Sequence, residues 1–337
     1  MQPEQETPPT LPRPRGVLSG NVLAALGGLT DGLPCPDLRD VDEDDFHLAL
    51  YCCYELHYRG FQGCDDDWEW EPSLLAFRGA LESRFETELR ATLGSPRVDP
   101  SSVEDELWKL AGADGRPSLS RYLARAASLE EFREFMVHRS AYHLKEADPH
   151  SWAIPRLQGR TKAALVEIKA DEYGGGREAL MHSTLFRDAL GAVGLDTRYG
   201  AYVDRLPGIT LATVNLMSLF GLHRRLRGAL VGHLALFEMT STQPNRRYGL
   251  GLRRLGYGDG ATRFFDEHVL ADSVHEAVAS HDLAATLAAA EPPLAGDILF
   301  GARALALLDQ HWGRYLMDAW RGGRSSLLSK LGEQVAV

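Results

Sequence analysis

The sequence has no long apolar run, few cysteines and few isoleucines, and each shortage excludes a class of protein. No window approaches the roughly 18 consecutive apolar residues of a membrane span, and the first residues lack the apolar core of a secretory signal. The 4 cysteines include no Cys-x-x-Cys pair, which argues against a zinc or redox motif. These absences predict a cytoplasmic protein with reduced thiols and no membrane partner.

Basic residues are also in short supply. The 337 residues include 36 Lys and Arg against 47 Asp and Glu, for a formal net charge of -11. A nucleic-acid-binding protein needs a basic face to neutralise phosphate, and a polybasic membrane-surface protein needs the same. The composition therefore favours a globular protein whose partner is a small-molecule substrate, with no nucleic acid and no membrane.

The residue mixture predicts an all-α protein. Isoleucine occurs at only four positions, whereas Leu, Ala, Glu and Arg are abundant, and no run alternates like a strand. Residues 1–19 are rich in Pro, Gln and Glu, which predicts a disordered N-terminus. We expect an N-terminal helical region at residues 20–125, packed on a helical bundle at residues 126–337. Within the bundle, the pattern predicts a helix that ends before Pro244 and is followed by an Arg-rich loop.

The first group of metal-ligand candidates is the segment His268-x3-Asp272-x2-His275. At 100° per residue, the Asp272 side chain lies about 40° to one side of His268 and the His275 side chain about 20° to the other side. All three therefore share one face of a helix. Two imidazoles and a carboxylate on one stripe are suited to bind a metal. A polar helix face with hydrogen-bonded histidines is an equally good interpretation of these residues alone.

The second group is Glu172 and His182, which flank three consecutive glycines. Ten residues of helix place two side chains about 80° apart, so the pair meets one metal only if the helix is distorted. Each glycine costs a helix about 1 kcal/mol relative to alanine, and such a cost often marks a functional bulge. Alternatively, the glycines simply divide one helix into two.

Two further carboxylates complete the candidate set. Glu238 lies among Leu, Ala, Phe and Met, where an ionised carboxylate needs a partner or a metal, and Glu146 closes a helix. A single zinc or magnesium ion would not need seven ligands, whereas a dinuclear iron or manganese site in a helical bundle would. The ferritin-like version of such a site requires two Glu-x-x-His pairs, and the sequence contains none.

At these positions the sequence resembles the heme-oxygenase-like diiron oxidases and oxygenases, a family of iron-containing redox enzymes. The resemblance spans about residues 125–285 and depends on four stretches together, among them the DEYGGG segment before His182, and residues 52–61 add to it. It implies a heme-oxygenase-like seven-helix bundle that binds two Fe ions rather than heme and activates O2 as co-substrate. The metal ligands that it implies are Glu146, Glu172, His182, Glu238, His268, Asp272 and His275.

The resemblance also implies the type of reaction. We expect a monooxygenase that N-oxygenates an amine or amino-acid-derived substrate in natural-product biosynthesis; the alternative is oxidative C–C cleavage of an amino or fatty acid, by decarboxylation or fragmentation. Glu55, His57 and Tyr173 are candidates for contacting the ligands or the substrate. We further expect a homodimer and an external electron donor or reductase. A non-catalytic metal-binding or partner-binding helical protein, and a thiaminase-like or heme-binding relative of the same fold, remain open alternatives.

Overall fold

The computed structural model describes residues 7–94, 97–113 and 118–332, except for the side chains of residues 272–274, and this part of the chain is helical without a strand. The predicted all-α class is thereby confirmed. A π-helical segment, Val278–Ala285, follows α12. The α-helices are α1 (Val17–Leu26), α2 (Glu43–Glu55), α3 (Pro72–Leu93), α4 (Val103–Ala111), α5 (Leu119–Arg125), α6 (Leu129–His143), α7 (Asp148–Ser151), α8 (Gly159–Glu172), α9 (His182–Ala192), α10 (Gly208–Leu222), α11 (Arg227–Arg254), α12 (Asp259–Ala277), α13 (Thr286–Ala290) and α14 (Ala295–Arg321).

Several helices begin where capping residues predict. The Ser128 hydroxyl accepts a hydrogen bond from the Glu131 amide (3.2 Å), and the Glu131 carboxylate accepts one from the Ser128 amide (2.7 Å). This capping box fixes the start of α6, the helix that leads to Glu146. Asp42 caps α2 in the same way, because its carboxylate accepts from the amide of Asp44 at 2.8 Å.

The predicted end of α11 before Pro244 is wrong, because the helix continues to Arg254. A proline removes one backbone donor, but packing on both sides of it holds the helix together. Tyr248 is buried beyond the proline, and Arg253 forms an ion pair with Asp266 of α12 at 2.6 Å. The Arg-rich segment is therefore helical, and its arginines serve to attach α11 to its neighbours.

The N-terminal segment also differs from the prediction of disorder over residues 1–19. Residues 7–16 lie against the bundle, with Pro9 and Pro12 buried, and α1 begins at Val17. The amide of Arg13 donates a hydrogen bond to the Asp204 carboxylate at 2.7 Å. A proline-rich segment loses little conformational entropy on ordering, so a few contacts suffice to hold it.

The N-terminal helices and the bundle share one apolar core. α2 packs against α10, and Phe46 of α2 and Phe220 of α10 belong to the same cluster of buried side chains. Glu55, the last residue of α2, is thereby carried into the interior of the bundle.

No single helix among the described residues is long and apolar enough to cross a membrane. Two consecutive helical stretches, His275–Ala290 and Pro292–Arg321, are long and apolar enough only when taken together, and the chain bends by 118° between them. All four cysteines are free thiols.

α11 is the central helix and packs along both α12 and α14. Two glycines permit a very close approach to α14. A β-carbon at Gly232 would lie 1.7 Å from the carbonyl oxygen of Ile298, and one at Gly301 would lie 1.9 Å from that of Ala229. Both distances are far below van der Waals contact, so the crossing of α11 and α14 depends on these two glycines.

Gly232→Ala is therefore expected to lower the free energy of unfolding by about 1–3 kcal/mol, because the added methyl group must push two helices apart. Urea denaturation measures the change. Gly79→Ala is the matched control, since a β-carbon at that α3 position has nothing within 4 Å. The control should leave stability unchanged or raise it by up to about 1 kcal/mol. Equal stabilities for the two variants would contradict the assigned helix crossing.

Candidate metal centre

Three of the predicted ligands come together in the interior of the bundle. Glu146, His182 and His268 each offer a ligand atom, and these atoms all lie within 4.8 Å of one another. All three side chains are buried. They come from three separate elements: the turn after α6, the first residue of α9, and the middle of α12. We call these three residues the first cluster.

Local breaks in two helices bring these side chains inward. Ala147 has a positive φ of 82° and ends the turn that carries Glu146, directly before α7 begins. Gly174, Gly175 and Gly176 also have positive φ, and a β-carbon at Gly174 would lie 2.6 Å from the Leu180 carbonyl carbon. The glycines therefore turn the chain between α8 and α9, so the alternative of two separate helices is correct and the single distorted helix is not.

Both histidines of the first cluster direct a ring nitrogen at their neighbours in it. The Nδ1 atom of His268 lies 2.8 Å from the Phe264 carbonyl, which can only accept, so this nitrogen carries a proton. The Nε2 atom of His268 lies 3.4 Å from a Glu146 oxygen. Burial, followed by the proximity of His268, lowers the pKa of His182 to about 3, so His182 is neutral.

Glu146 is ionised in this cavity although it is buried. Burial opposes its charge, but the neighbouring rings of His143 and His268 outweigh that effect and hold its pKa well below the usual value. The Nδ1 atom of His143 lies 3.2 Å from Glu146 Oε2, close enough for attraction but not aligned for a hydrogen bond. An imidazole nitrogen and a carboxylate oxygen are both suitable metal ligands.

Three more of the predicted ligands lie beside the first cluster. Glu238 Oε2 is 3.3 Å from His275 Nδ1, and all three residues, Glu172, Glu238 and His275, are buried. Burial raises the pKa of Glu172 to about 8; Lys169 opposes the rise, and the carboxylates of Glu238 and Glu146 add to it. The carboxylates of Glu238 and Glu146 and the ammonium of Lys169 are thus close enough to Glu172 to interact with it electrostatically. We call Glu172, Glu238 and His275 the second cluster.

The seventh predicted ligand is Asp272, whose side chain lies outside the described residues. The backbone places it on α12 between His268 and His275. These two histidines project into the first and the second cluster respectively. The role of Asp272 stays a prediction.

Three residues that the sequence analysis did not select contact the proposed ligands. His143 adjoins Glu146; the Lys169 ammonium donates to Glu172 Oε2 at 2.6 Å; Asp171 Oδ2 lies 3.0 Å from His275 Nε2. Two of them precede a ligand by three residues, a spacing that puts side chains on one helix face. That spacing is the signal by which His143 and Lys169 could have been found. Asp171 is next to Glu172 in sequence but reaches a different helix.

Two of the other candidates lie farther from the ligands. Glu55 is completely buried and forms an ion pair with Lys145 at 2.8 Å, and the Tyr199 hydroxyl donates to it at 2.7 Å. Because Lys145 precedes Glu146, Glu55 supports the turn that carries a ligand. His57 instead lies 2.8 Å from Glu69. A direct contact of either residue with substrate stays a prediction.

Tyr173 follows Glu172 and is half-buried. Its hydroxyl donates to Asp148 at 2.8 Å and lies 3.0 Å from the Ser151 hydroxyl. These contacts tie the end of α8 to the short helix α7, one residue after the turn that holds Glu146. The contacts of Tyr173 thus hold in place the two segments that carry Glu146 and Glu172, and its hydroxyl bonds to Asp148 and Ser151 rather than to either ligand.

Buried polar atoms without hydrogen-bond partners also indicate that the first cluster suits a metal ion. Within the described part of the chain, Glu146 Oε2 and His182 Nδ1 are buried and have no hydrogen-bond partner. A buried polar atom without a partner costs about 1–3 kcal/mol, and a metal ion between these atoms would remove that cost. Mixed imidazole and carboxylate ligands suit iron or manganese.

Comparison with known proteins adds two findings. The sequence profile of a family described as iron-containing redox enzymes matches residues 133–310, more than half of the chain and a range that contains all seven predicted ligands. The chain is also similar to nitrosourea synthase from Streptomyces achromogenes subsp. streptozoticus, with 28% identity over 172 residues. That alignment covers 51% of this chain and 36% of the synthase, so the chain spans only about a third of the length of that relative.

Proposed function

The chain belongs to the family of iron-containing redox enzymes and has an all-α, heme-oxygenase-like fold, and from this premise we propose that it is an O2-dependent oxygenase with two irons. The observation that carries the proposal is the pairing of two adjacent buried clusters, each with imidazole and carboxylate groups. Bound iron would supply the activation of O2. The chain itself contributes buried imidazoles and carboxylates.

We infer that Glu146, His182 and His268 hold one iron, and that Glu172, Glu238 and His275 hold the other. Asp272 completes the set from its position on α12. Lys169 would restrain one oxygen of Glu172 and leave the other for the metal, and Asp171 would orient the ring of His275. Such contacts to ligands typically contribute 10- to 100-fold to metal affinity.

We further propose N-oxygenation of an amine or amino-acid-derived substrate. The support is the similarity to nitrosourea synthase, whose name describes a product with a nitroso group on nitrogen. The alternative reaction, oxidative C–C cleavage of an amino or fatty acid, requires the same ligands and differs in its products. Analysis of the products therefore separates the two reactions.

Metal-free protein is expected to take up two Fe(II) per chain under anaerobic conditions, because each cluster has its own imidazole and carboxylate ligands. Iron analysis after gel filtration measures the stoichiometry. On exposure to air with a chemical reductant and a panel of amines and amino acids, the loaded protein should consume O2 and yield an N-oxygenated product. Release of CO2 or of a shortened acid would support C–C cleavage instead.

Two outcomes would contradict the proposal. Iron that stabilises the chain without any O2 consumption across the panel would indicate a metal-binding protein without oxygenase activity. Tight binding of heme, with fewer than two Fe(II) per chain, would indicate a heme-binding relative of the same fold. Thermal unfolding of the iron-loaded and metal-free forms completes the comparison, since ligands that bind only the folded state raise the melting temperature.

A further inference from the structure

A completely buried ion pair lies beside the turn that carries Glu146. Glu55 is 0% exposed and Lys145 is 2% exposed, and the Lys145 ammonium donates to Glu55 Oε2 at 2.8 Å. The Tyr199 hydroxyl donates to the same carboxylate and lies 2.7 and 2.8 Å from its two oxygens. Neither member of the pair belongs to the first or the second cluster, although Lys145 is the residue directly before a proposed ligand.

Aromatic rings also contact the ammonium of Lys145. Its Nζ atom lies 4.0 Å from the centre of the Tyr58 ring and 5.3 Å from that of the Tyr51 ring. A cation within about 6 Å of a ring centre is attracted to the ring. The two rings and the Glu55 carboxylate all come from residues 51–58, so one segment of the N-terminal helical region provides all three contacts.

A second contact from the same region holds the residue before Lys145. Arg59 Nη2 donates to the Leu144 carbonyl at 3.1 Å. Its guanidinium lies over the Tyr199 ring, with 4.2 Å between the guanidinium carbon and the ring centre. Residues 144 and 145 are therefore attached to the N-terminal region, one through its backbone and the other through its side chain. Because Glu146 follows them immediately, these contacts restrict the position of its backbone.

The turn that carries Glu146 depends on such support because its own backbone geometry is unfavourable. The Glu146 amide lies 3.4 Å from the His143 carbonyl, beyond the usual range of about 2.7–3.2 Å for this kind of hydrogen bond. The next residue, Ala147, has φ 82°, which residues with a β-carbon rarely adopt. Strained conformations of this kind persist only where surrounding contacts hold them. Glu55 and Arg59 supply contacts of that kind.

An ion pair in this position is better explained by positioning than by stability. Taking two charges out of water costs about as much free energy as their attraction returns, so a buried pair adds little net stability. Its best-attested use is to fix one arrangement, because either charge without its partner would be buried alone. Residues 51–59 also lie outside residues 133–310, the range that matches the family profile. The support for the turn thus comes from a part of the chain beyond that range.

We propose that Glu55 and Lys145 are positioning residues for the first cluster: their ion pair holds the turn so that the Glu146 carboxylate faces the two histidines of that cluster. The inference rests on the proposed function, because it takes Glu146 as a metal ligand. It makes the N-terminal helical region part of the metal site without placing a ligand there. Loss of the pair should free the turn and weaken the first cluster, while the second cluster keeps its affinity.

Anaerobic titration of the full-length, metal-free protein with Co(II) tests this inference. Co(II) accepts the same imidazole and carboxylate ligands as Fe(II), and its visible absorption bands report the ligands around each ion. The unsubstituted protein should bind two Co(II) per chain. The double variant Glu55→Gln/Lys145→Met removes both charges and keeps an acceptor for the Tyr199 hydroxyl. It should bind one of the two ions at least about tenfold more weakly, with a matching change in the absorption bands.

Melting temperatures of the metal-free proteins separate positioning from folding. Glu55→Gln alone leaves the Lys145 ammonium buried without its carboxylate and should lower the melting temperature. The double variant leaves no uncompensated charge, so its melting temperature should equal or exceed that of the unsubstituted protein. Lys145→Arg keeps the charge pair and should retain most of the Co(II) affinity. Weaker Co(II) binding at an unchanged melting temperature is a result that a merely structural role would not produce.

His268→Ala provides a second arm of the test, since this variant lacks a proposed ligand of the first cluster. Added to His268→Ala, the double substitution should not weaken the remaining Co(II) ion further, because the ion pair acts only through the first cluster. The matched control is Arg78→Met/Glu82→Gln, which removes another ion pair of the N-terminal region, with 3.2 Å between its charged atoms and no ligand next to it in the sequence. This control should bind both Co(II) ions like the unsubstituted protein.

The inference is overturned if the Glu55→Gln/Lys145→Met variant binds both Co(II) ions with unchanged affinity, or if it weakens the remaining ion of His268→Ala. It is also overturned if the control variant weakens Co(II) binding equally. These outcomes leave the proposed function intact, because the unsubstituted protein still binds two ions. Fewer than two Co(II) in the unsubstituted protein would instead contradict the proposed function, and the positioning assignment with it.

Discussion

Replacing His268 by alanine is expected to reduce iron from two per chain to one and to lower O2 consumption by at least about a hundredfold. His268 presents Nε2 to the first cluster with its Nδ1 proton fixed on the Phe264 carbonyl. Residues that merely orient a ligand change metal affinity by about 10- to 100-fold, so loss of the ligand itself should exceed that range. Iron analysis and an oxygen electrode measure the two effects.

His281→Ala is the matched control for this prediction. His281 is exposed and lies 3.0 Å from the Glu104 carboxylate, outside both clusters. This variant should retain two irons and full O2 consumption. Normal iron content in His268→Ala, or equal losses in the two variants, would refute the assignment of His268 as a ligand. A melting temperature recorded for each metal-free variant verifies that both chains are folded.

The metal-free protein is expected to lose about 2 kcal/mol of stability between pH 6.5 and pH 8. The pKa of Glu172 is raised from 4.5 to about 8 in the folded state, chiefly by burial. Between these values the folded state holds a proton that the unfolded state has released, so stability falls as pH rises, by up to about 1.4 kcal/mol per pH unit. Urea denaturation in the presence of a chelator measures this slope.

Buried histidines set the lower limit of that pH window. The pKa values of His138, His182 and His233 are lowered from 6.5 to about 3, mainly by burial, so the unfolded chain binds more protons there. Their contribution makes stability rise with pH up to about 6.5 and then stay constant. Above that pH, the fall in the free energy of unfolding with rising pH is due to Glu172.

Glu172→Gln isolates this contribution, because the amide is neutral in both states. The variant should show no fall between pH 6.5 and pH 8, and anaerobic Fe(II) should abolish the fall in the unsubstituted protein by binding the ionised carboxylate. Parallel pH profiles for the two proteins would show that Glu172 is not protonated in the folded state. Lys169 would then neutralise it completely.

The sequence predicted the local structure well, because local structure depends on neighbouring residues. The break at the three glycines, one of the two interpretations that the sequence left open, follows from backbone preferences within a few positions. Glu146, His182 and His268 were also identified from sequence, and the structure brings them together. The continuation of α11 through Pro244 was missed because packing with distant helices outweighs the local effect of proline.

The residues that contact the proposed metal ligands were harder to predict from the sequence than the ligands themselves. Nothing in the sequence near Asp171 indicates that it reaches His275, which is more than 100 positions away. The pairing of Glu55 with Lys145 likewise depends on the docking of α2 into the bundle. Such contacts arise only in the folded chain, so a pattern along the sequence reveals the residue types but not the pairs.

The three residues of the first cluster come from positions 146, 182 and 268, on elements that meet only in the folded bundle. A chain in which α12 has come away from the bundle therefore lacks the complete first cluster. Retention of a metal by all three of these side chains would therefore report that the turn after α6, the start of α9 and the middle of α12 are docked together in one molecule.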